Sequence, residues 1–547
     1  MLKSLEEKFS QKKAFLVIGV HSAKFENEKI TSHIEDAIEK YDIRHPVIND
    51  ADAVLWTQMN IVCWPTVLLF GPGNQLFFCL IGENNVADWL HLYTTVLYEF
   101  FEQKDYLSKN LKPILKGRKF KQREALHFPS KINASPKKVF IAISDSGNDR
   151  VVIISSDGCV KHLIGGRESG YKDGDFSEAA FNNPQGVVWL SEDTLFVADT
   201  NNHCIRKIDL ILLRVETIAA NSDENSEESC KIVSPWDLCL VGEDKLFIAL
   251  AGSHQIAALC LRDSCLILDK SLTSRNCVVL AGNGREENRN NNYAHKAGFS
   301  QPSGLAYCQK FDCLFIADSE SSSIRKLNLQ TGSVTNTVGG SRDPLDLFAF
   351  GDRDAIGFDA RLQHPLGLAF NDFTQKLLIA DSYNHKIKVV DIETRRCDTI
   401  AGTGVSANIF NCDLLSAAFN EPNGLCMLEE GKVALVADTN NHCIKKIDFN
   451  ENRVSVFNLL FANDSREESI NSEAANNDVI ELRQHQVSNQ SVINVQINLQ
   501  FQEHISLTQN APHSVLTTLS ANIAANKKEI MHVGKHKRIR EIYNENR

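Results

Sequence analysis

The sequence predicts a multidomain chain. A six-bladed β-propeller is preceded by a small, incomplete α/β domain and followed by a short β-rich, partly disordered tail. Three observations carry this. One strand-turn-strand segment occurs six times: VADTNNHCIRKID at 197–209, IADSYNHKIKVVD at 379–391 and VADTNNHCIKKID at 436–448, with weaker copies at 143–154, 248–259 and 316–327. A Pro-x-Gly/Asp-apolar step stands 15 or 16 residues upstream in five of them, at Pro184, Pro235, Pro302, Pro365 and Pro422. Pro129 holds the same place before Asp145 in a sixth unit that lacks the Gly. Strand-like units spaced by roughly 50 to 70 residues are the mark of a propeller.

Residues 1–103 alternate helix and strand. Leu2, Leu5 and Phe9 form a helical stripe, residues 14–20 read as a buried strand, and Ile30, Ile34, Ile38 and Tyr41 form a second amphipathic helix. Two strands follow around Gly71-Pro72-Gly73-Asn74, and an apolar-faced helix spans 86–103. Residues 104–126 are a linker with a run of unopposed Lys and Arg between 112 and 123. It reads as a solvated connector, with a patch for RNA or anionic lipid as the alternative. In each unit from 127 to 460 the Pro opens an inner strand, where a missing N–H costs no ladder bond. A Gly two residues on (Gly186, Gly304, Gly367, Gly424) lets backbones crowd near a narrow channel, and the second strand ends in Ala-Asp. Asp-Ser/Thr-x-Asn-His is then a turn of short side chains bonded to nearby backbone. Residues 461–490 read as a Ser/Asn/Glu-rich flexible linker, and 491–547 as a partial β segment with a basic tail.

These units resemble NHL repeats, whose Asn-His step stands here at Asn202-His203, Asn384-His385 and Asn441-His442, with Ser253-His254 as a variant. The resemblance covers about residues 127–458 and implies a six-bladed NHL propeller. Residues 1–103 resemble a thioredoxin fold, with Trp64-Pro65-Thr66 standing as its cis-proline loop. The redox Cys-x-x-Cys of that fold belongs just before the helix with which this chain opens. The resemblance therefore implies a domain lacking its first strands, and a full-length protein that starts upstream of Met1. Without the missing strand, the strands at 14–20 and 66–70 cannot pair, and apolar edges stay open.

A net charge of −11 over 547 residues argues mildly against a general nucleic-acid binder, and no apolar run reaches membrane-spanning length. The 15 cysteines form no C-x-x-C pair and occupy small apolar strand positions, which fits a reducing cytosol. Cys260/Cys265 and Cys308/Cys313 are the pairs that could bridge hairpins.

The repeated residues admit a chemical and a structural reading. Asp145, Asp199, Asp318, Asp381 and Asp438 would suit a ring of calcium-binding carboxylates, but one per blade inside the same turn reads as structural, and the third unit has Leu250 instead. His203, His254, His385 and His442 suggest zinc only if they converge; hydrogen bonding within their own blades is the expectation. Cys63, next to Trp64, is the one thiol near a would-be redox centre, and alone it cannot recycle as a dithiol. No cofactor and no metal are expected.

The chain thus reads as a non-catalytic cytosolic scaffold for a protein partner, with a role in cell and developmental physiology implied by the family resemblance. The loops at 283–298 and 340–359 are the candidate contact face, the second carrying Leu345, Leu347, Phe348 and Phe350, which would otherwise pack on the N-terminal domain. The alternatives are a thiol oxidoreductase whose redox motif lies upstream, and an RNA-binding propeller. No small-molecule substrate is indicated.

Overall fold

The computed structural model describes residues 2–9, 15–82, 86–107, 126–221, 230–268 and 270–460. The basic run of the linker and everything beyond 460, including the expected β segment, lie outside them.

Six antiparallel sheets stand around a central axis, three of four strands and three with a further two-residue strand at the outer edge. Their inner strands are Pro129–Ala134, Pro184–Trp189, Pro235–Val241, Pro302–Cys308, Pro365–Asn371 and Pro422–Leu428, for blades one to six. Each begins at the Pro identified in the sequence. Each inner strand packs on the next, and that of blade six packs on that of blade one. Among the described residues every blade is one continuous stretch of chain, with no strand borrowed to close the ring. Closure rests on an apolar layer between blades six and one, built from Ile132, Ile143 and Val152 against Cys426, Leu435 and Ile444. A strap reinforces it: Leu460 N–H donates to Gly158 O (2.8 Å), and Val160 N–H donates to Leu460 O (2.9 Å). The strap adds a parallel bridge at the rim of blade one.

The inner glycines are needed where neighbouring inner strands nearly touch. A Cβ on Gly367 would stand 1.7 Å from Asn423 O. Blade three carries an extra hairpin, Ser264–Ile267 with Lys270–Thr273, between its third and outer strands.

The N-terminal region holds helices Leu2–Phe9, Thr31–Lys40 and Val86–Gln103, with Leu5 and Phe9 packed on Leu90 and Tyr98. The antiparallel pair Thr66–Phe70 and Leu76–Ile81 forms as expected. The buried strand expected at 14–20 does not. Only Gly19–His21 is strand, and Leu16, Ile18 and Val20 are 39%, 51% and 46% exposed. Its one partner is a strand the sequence reading did not contain, Val47–Asn49, running parallel to it. No described layer covers its outer face, so an apolar run that normally marks a core strand lies open. The two strand pairs stay separate sheets.

Candidate functional site: the blade turns, the channel and the joint

The turn after each second strand holds the residues with most chemical potential. The five Asp carboxyls are fully buried. In each, Oδ1 accepts the backbone N–H two residues before the blade's own Pro: His127 (2.6 Å), Asn182 (2.9 Å), Ser300 (2.6 Å), Gln363 (2.7 Å) and Asn420 (2.7 Å). Oδ2 accepts the turn's polar side chain, from Asn148, Asn202, Ser321, Asn384 and Asn441. A basic residue of the third strand neutralises it: Arg150, Arg206, Arg325 and Lys445 directly, at 2.6, 2.7, 3.4 and 2.7 Å. In blade five Lys388 faces Asp381 while its Nζ binds Asp352 and Asp354 at 2.7 Å each. Burial pulls each carboxyl toward its neutral form, and the cation with its N–H donors opposes that. Both oxygens of each carboxyl already accept hydrogen bonds from this network.

The histidines correct an expectation. The ring of each reaches the next blade. Nδ1 of His203, His254, His385 and His442 accepts the backbone N–H of Ser234 (3.0 Å), Gln301 (3.1 Å), Glu421 (3.2 Å) and Phe128 (3.1 Å). Asp149 and Ser322 do the same for Asn183 and His364 in the two remaining blades. All six acceptors and all six donors have positive φ, between 44° and 65°. Two left-handed residues thus face each other at every blade boundary, and His442 to Phe128 joins the last blade to the first. The reason is positional. A left-handed residue throws its side chain out of its own turn, toward the loop that opens the neighbouring blade. An acceptor role requires neutral imidazole, and burial lowers the pKa of His203 and takes that of His385 down to about 4. Among the described residues no group of three or more His, Cys, Asp or Glu converges as a metal site would.

The channel is plugged. Where four blades have Gly two residues after the Pro, blade one has Lys131 and blade three has Asp237. Lys131 Nζ crosses the axis to Ser303 O (2.9 Å) and Leu366 O (2.5 Å) and stands 3.6 Å from Asp237. Asp237 also accepts Leu305 N–H at 2.9 Å. A cavity of about 40 Å³ remains beside the pair. A wider funnel of about 420 Å³ opens past it at the far ends of the inner strands, walled by Leu240, Tyr307, Phe370 and Met427. The sequence reading missed this pair. Its signal was two opposite charges at the one register position otherwise held by Gly.

The other end of the channel faces the N-terminal region. Lys24 Nζ binds Glu320 Oε2 (2.6 Å), and Phe25 is 1% exposed among Phe350, His364 and Tyr383. Asn27 Nδ2 donates to Glu421 Oε1 (3.2 Å), and its Oδ1 meets His385 Nε2 (2.9 Å). The 340–359 loop is therefore divided. Phe350 packs on the N-terminal region and Leu347 is half-buried, while Leu345 and Phe348 are 72% and 59% exposed. In the Trp64-Pro65-Thr66 loop the Trp64–Pro65 peptide is cis, Trp64 Nε1 donates to Ser22 O (3.0 Å), and Thr66 Oγ1 donates to Cys63 O (2.8 Å). All fifteen cysteines are free thiols, Cys63 half-buried among them, so neither hairpin pair is bridged.

A family model of the NHL repeat matches residues 181–208 and 419–447. NHL repeat-containing protein 2 of Homo sapiens is 44% identical over 475 residues, covering 84% of this chain and 65% of that protein, and the Gallus gallus protein gives the same figures. Protein SUPPRESSOR OF QUENCHING 1, chloroplastic, of Arabidopsis thaliana is 38% identical, covering 82% of this chain and 42% of that protein. The chain thus spans 65% of the length of the NHL repeat-containing relatives it matches. A crystal structure of virginiamycin B lyase from Staphylococcus aureus aligns at 10% identity and a TM-score of 0.36, over 60% of this chain and 83% of that one. The chain thus carries sequence that matches the NHL repeat, set in a β-propeller of six blades.

Proposed function

We propose that the chain is a non-catalytic scaffold that binds a protein partner in the cytosol, with a role in cell and developmental physiology. The observation that carries this is the commitment of the chemistry-bearing groups. The repeated Asp, His and Arg/Lys side chains are bonded into the blades, and the channel is filled by its own ion pair. What the propeller offers outward is loop surface. Leu345 and Phe348 are the exposed apolar members of the 340–359 loop, framed by Arg342, Asp343 and Asp346 at the edge of the joint. An apolar centre with a charged rim is the layout of a protein contact. The cytosolic placement rests on the free thiols. No helix among the described residues is long and apolar enough to cross a membrane.

The test is co-purification from cells of tagged chain and of a Leu345→Ser/Phe348→Ser variant. Partners retained by the first and lost by a folded second support the reading; identical partner sets for both remove the loop from it.

A further inference from the structure

The joint between the N-terminal region and the propeller has two halves of opposite chemistry. The first is an ion-pair anchor. Lys24 Nζ binds both Glu320 Oε2 (2.6 Å) and Glu320 O (3.0 Å), and His364 Nδ1 stands 3.2 Å from Glu320 Oε1. Phe25 fills the pocket between Phe350, His364 and Tyr383, with centroids at 4.9, 5.4 and 5.5 Å. Burial alone would push the Glu320 carboxyl up, but His364 and Lys24 hold it down at about 2. Glu320 therefore keeps its charge through mild acid.

The second half is an imidazole latch. His385 is 4% exposed and has both ring nitrogens engaged. Nδ1 accepts Glu421 N–H at 3.2 Å, so in the neutral ring the proton is on Nε2 and is donated to Asn27 Oδ1 at 2.9 Å. The orientation of the Asn27 side-chain amide is set by its Nδ2 donating to Glu421 Oε1 (3.2 Å), and the Asn27 backbone carbonyl accepts His33 Nδ1–H at 2.9 Å. One asparagine thus ties the helix Thr31–Lys40 to blades five and six through three bonds. A second proton on His385 would sit on Nδ1, pointing at an N–H. It would also stand with its ring 5.4 Å from that of His33.

We propose that this joint is a proton-sensitive hinge: protonation of His385 frees the Thr31–Lys40 side from blades five and six, while the Lys24–Phe25 anchor keeps the N-terminal region attached.

The groups packed around the latch favour that outcome on balance. Asp36, on the helix, bonds Asn420 and faces Glu421, Glu39 and His33. Its pKa is raised, chiefly by burial, so it loses its charge early in acid and stops balancing the histidines. Tyr383, beside the ring in sequence, has its phenol pushed up by burial and by Glu421, Glu28 and Glu320, and stays neutral. Glu421 is the carboxylate that touches the latch itself, its Oε1 held by Asn27. One further contact lies apart from the latch: His127 Nε2 stands 3.4 Å from Glu39 Oε1. It sits at the blade-one end of the helix and makes that end the pivot.

The test is hydrogen–deuterium exchange on the full chain at pH 7.5 and 5.0, with intrinsic rates divided out. The expected result is an at least tenfold loss of protection at 31–40 and at Glu421 in acid, with 24–28 unchanged within twofold. His385→Asn should abolish the step, because Asn tolerates a left-handed position and its amide oxygen can take the Glu421 N–H as Asp149 takes that of Asn183. Asn27→Ala leaves the blade-to-blade bond intact; it should leave 31–40 weakly protected at both pH values and stands in if His385→Asn does not fold. Protection at 31–40 independent of pH in the unmodified chain, an unchanged step in the variants, or equal loss at 24–28 would overturn the proposal.

Discussion

Lys131 and Asp237 give the sharpest test of how the propeller axis is held. Both are nearly inaccessible, at 4% and 7% exposure, and each is the other's only opposite charge among the described contacts at the axis. Removing one partner of such a pair costs about 3–5 kcal/mol, because the survivor stays buried and uncompensated. Asp237→Leu leaves the ammonium facing two carbonyls and orphans Leu305 N–H, so it belongs at the upper end. Lys131→Met leaves a carboxylate that can escape by taking a proton. Burial already raises the Asp237 pKa with Lys131 opposing, so without Lys131 the carboxyl rises further. A raised carboxyl penalises the fold as pH climbs, so the cost of Lys131→Met should be smaller at pH 5 than at pH 8. The double variant removes both charges and should cost less than either single change. At about 2 °C per kcal/mol for a domain of this size, single variants should melt about 6–10 °C lower, and the double variant within about 4 °C of the parent. Additive losses, or single variants that melt with the parent, would show that the pair does not hold the axis.

Three further outcomes follow from the same structure. His385, lowered from 6.5 to about 4, favours the neutral form in the fold, so its contribution is complete above pH 6.5 and is lost as pH falls toward 4. Up to about 3 kcal/mol is at stake, and His385→Asn should flatten denaturation midpoints across that window. Glu320, lowered from 4.5 to about 2, contributes fully above pH 4.5 and loses its share between 4.5 and 2, which Glu320→Gln should flatten instead. Gly367→Ala places a methyl 1.7 Å from Asn423 O, a backbone atom in the next inner strand. The strands must part, at a cost of about 3 kcal/mol or more, read as a lowered melting temperature or loss of soluble protein.

The propeller was legible because a repeat states its own period. Five Pro-to-Asp spacings, with Pro235 to Leu250 as the sixth, place the inner and second strands at Pro129–Ala134 and Phe140–Asp145 as surely as at Pro422–Leu428 and Val433–Asp438. What a repeat hides is which copy a side chain serves. The His203 bond to Ser234 N–H is invisible in a single unit, since donor and acceptor belong to consecutive ones. Lys131 and Asp237 were hidden for the opposite reason: averaging the units discards departures from them, and here two departures meet across the axis. The run 14–20 misled because its apolar residues are those of a core strand, while burial depends on what lies on either side of it. Phe350 shows the same limit. Its loop was recognised as a contact surface, but Phe25, which occupies it, comes from a segment more than 300 residues away.

The central claim is that the left-handed residue of each blade turn, a histidine in four of the six, serves the following blade. The direct measurement is amide exchange in a His254→Ala variant, followed at Gln301, which opens blade four, and at residues 251–255 of its own turn. The account expects protection at Gln301 to fall by about tenfold or more, the loss of one buried hydrogen bond, while the turn of blade three holds. Loss confined to residues 251–255, with Gln301 unchanged, would contradict it.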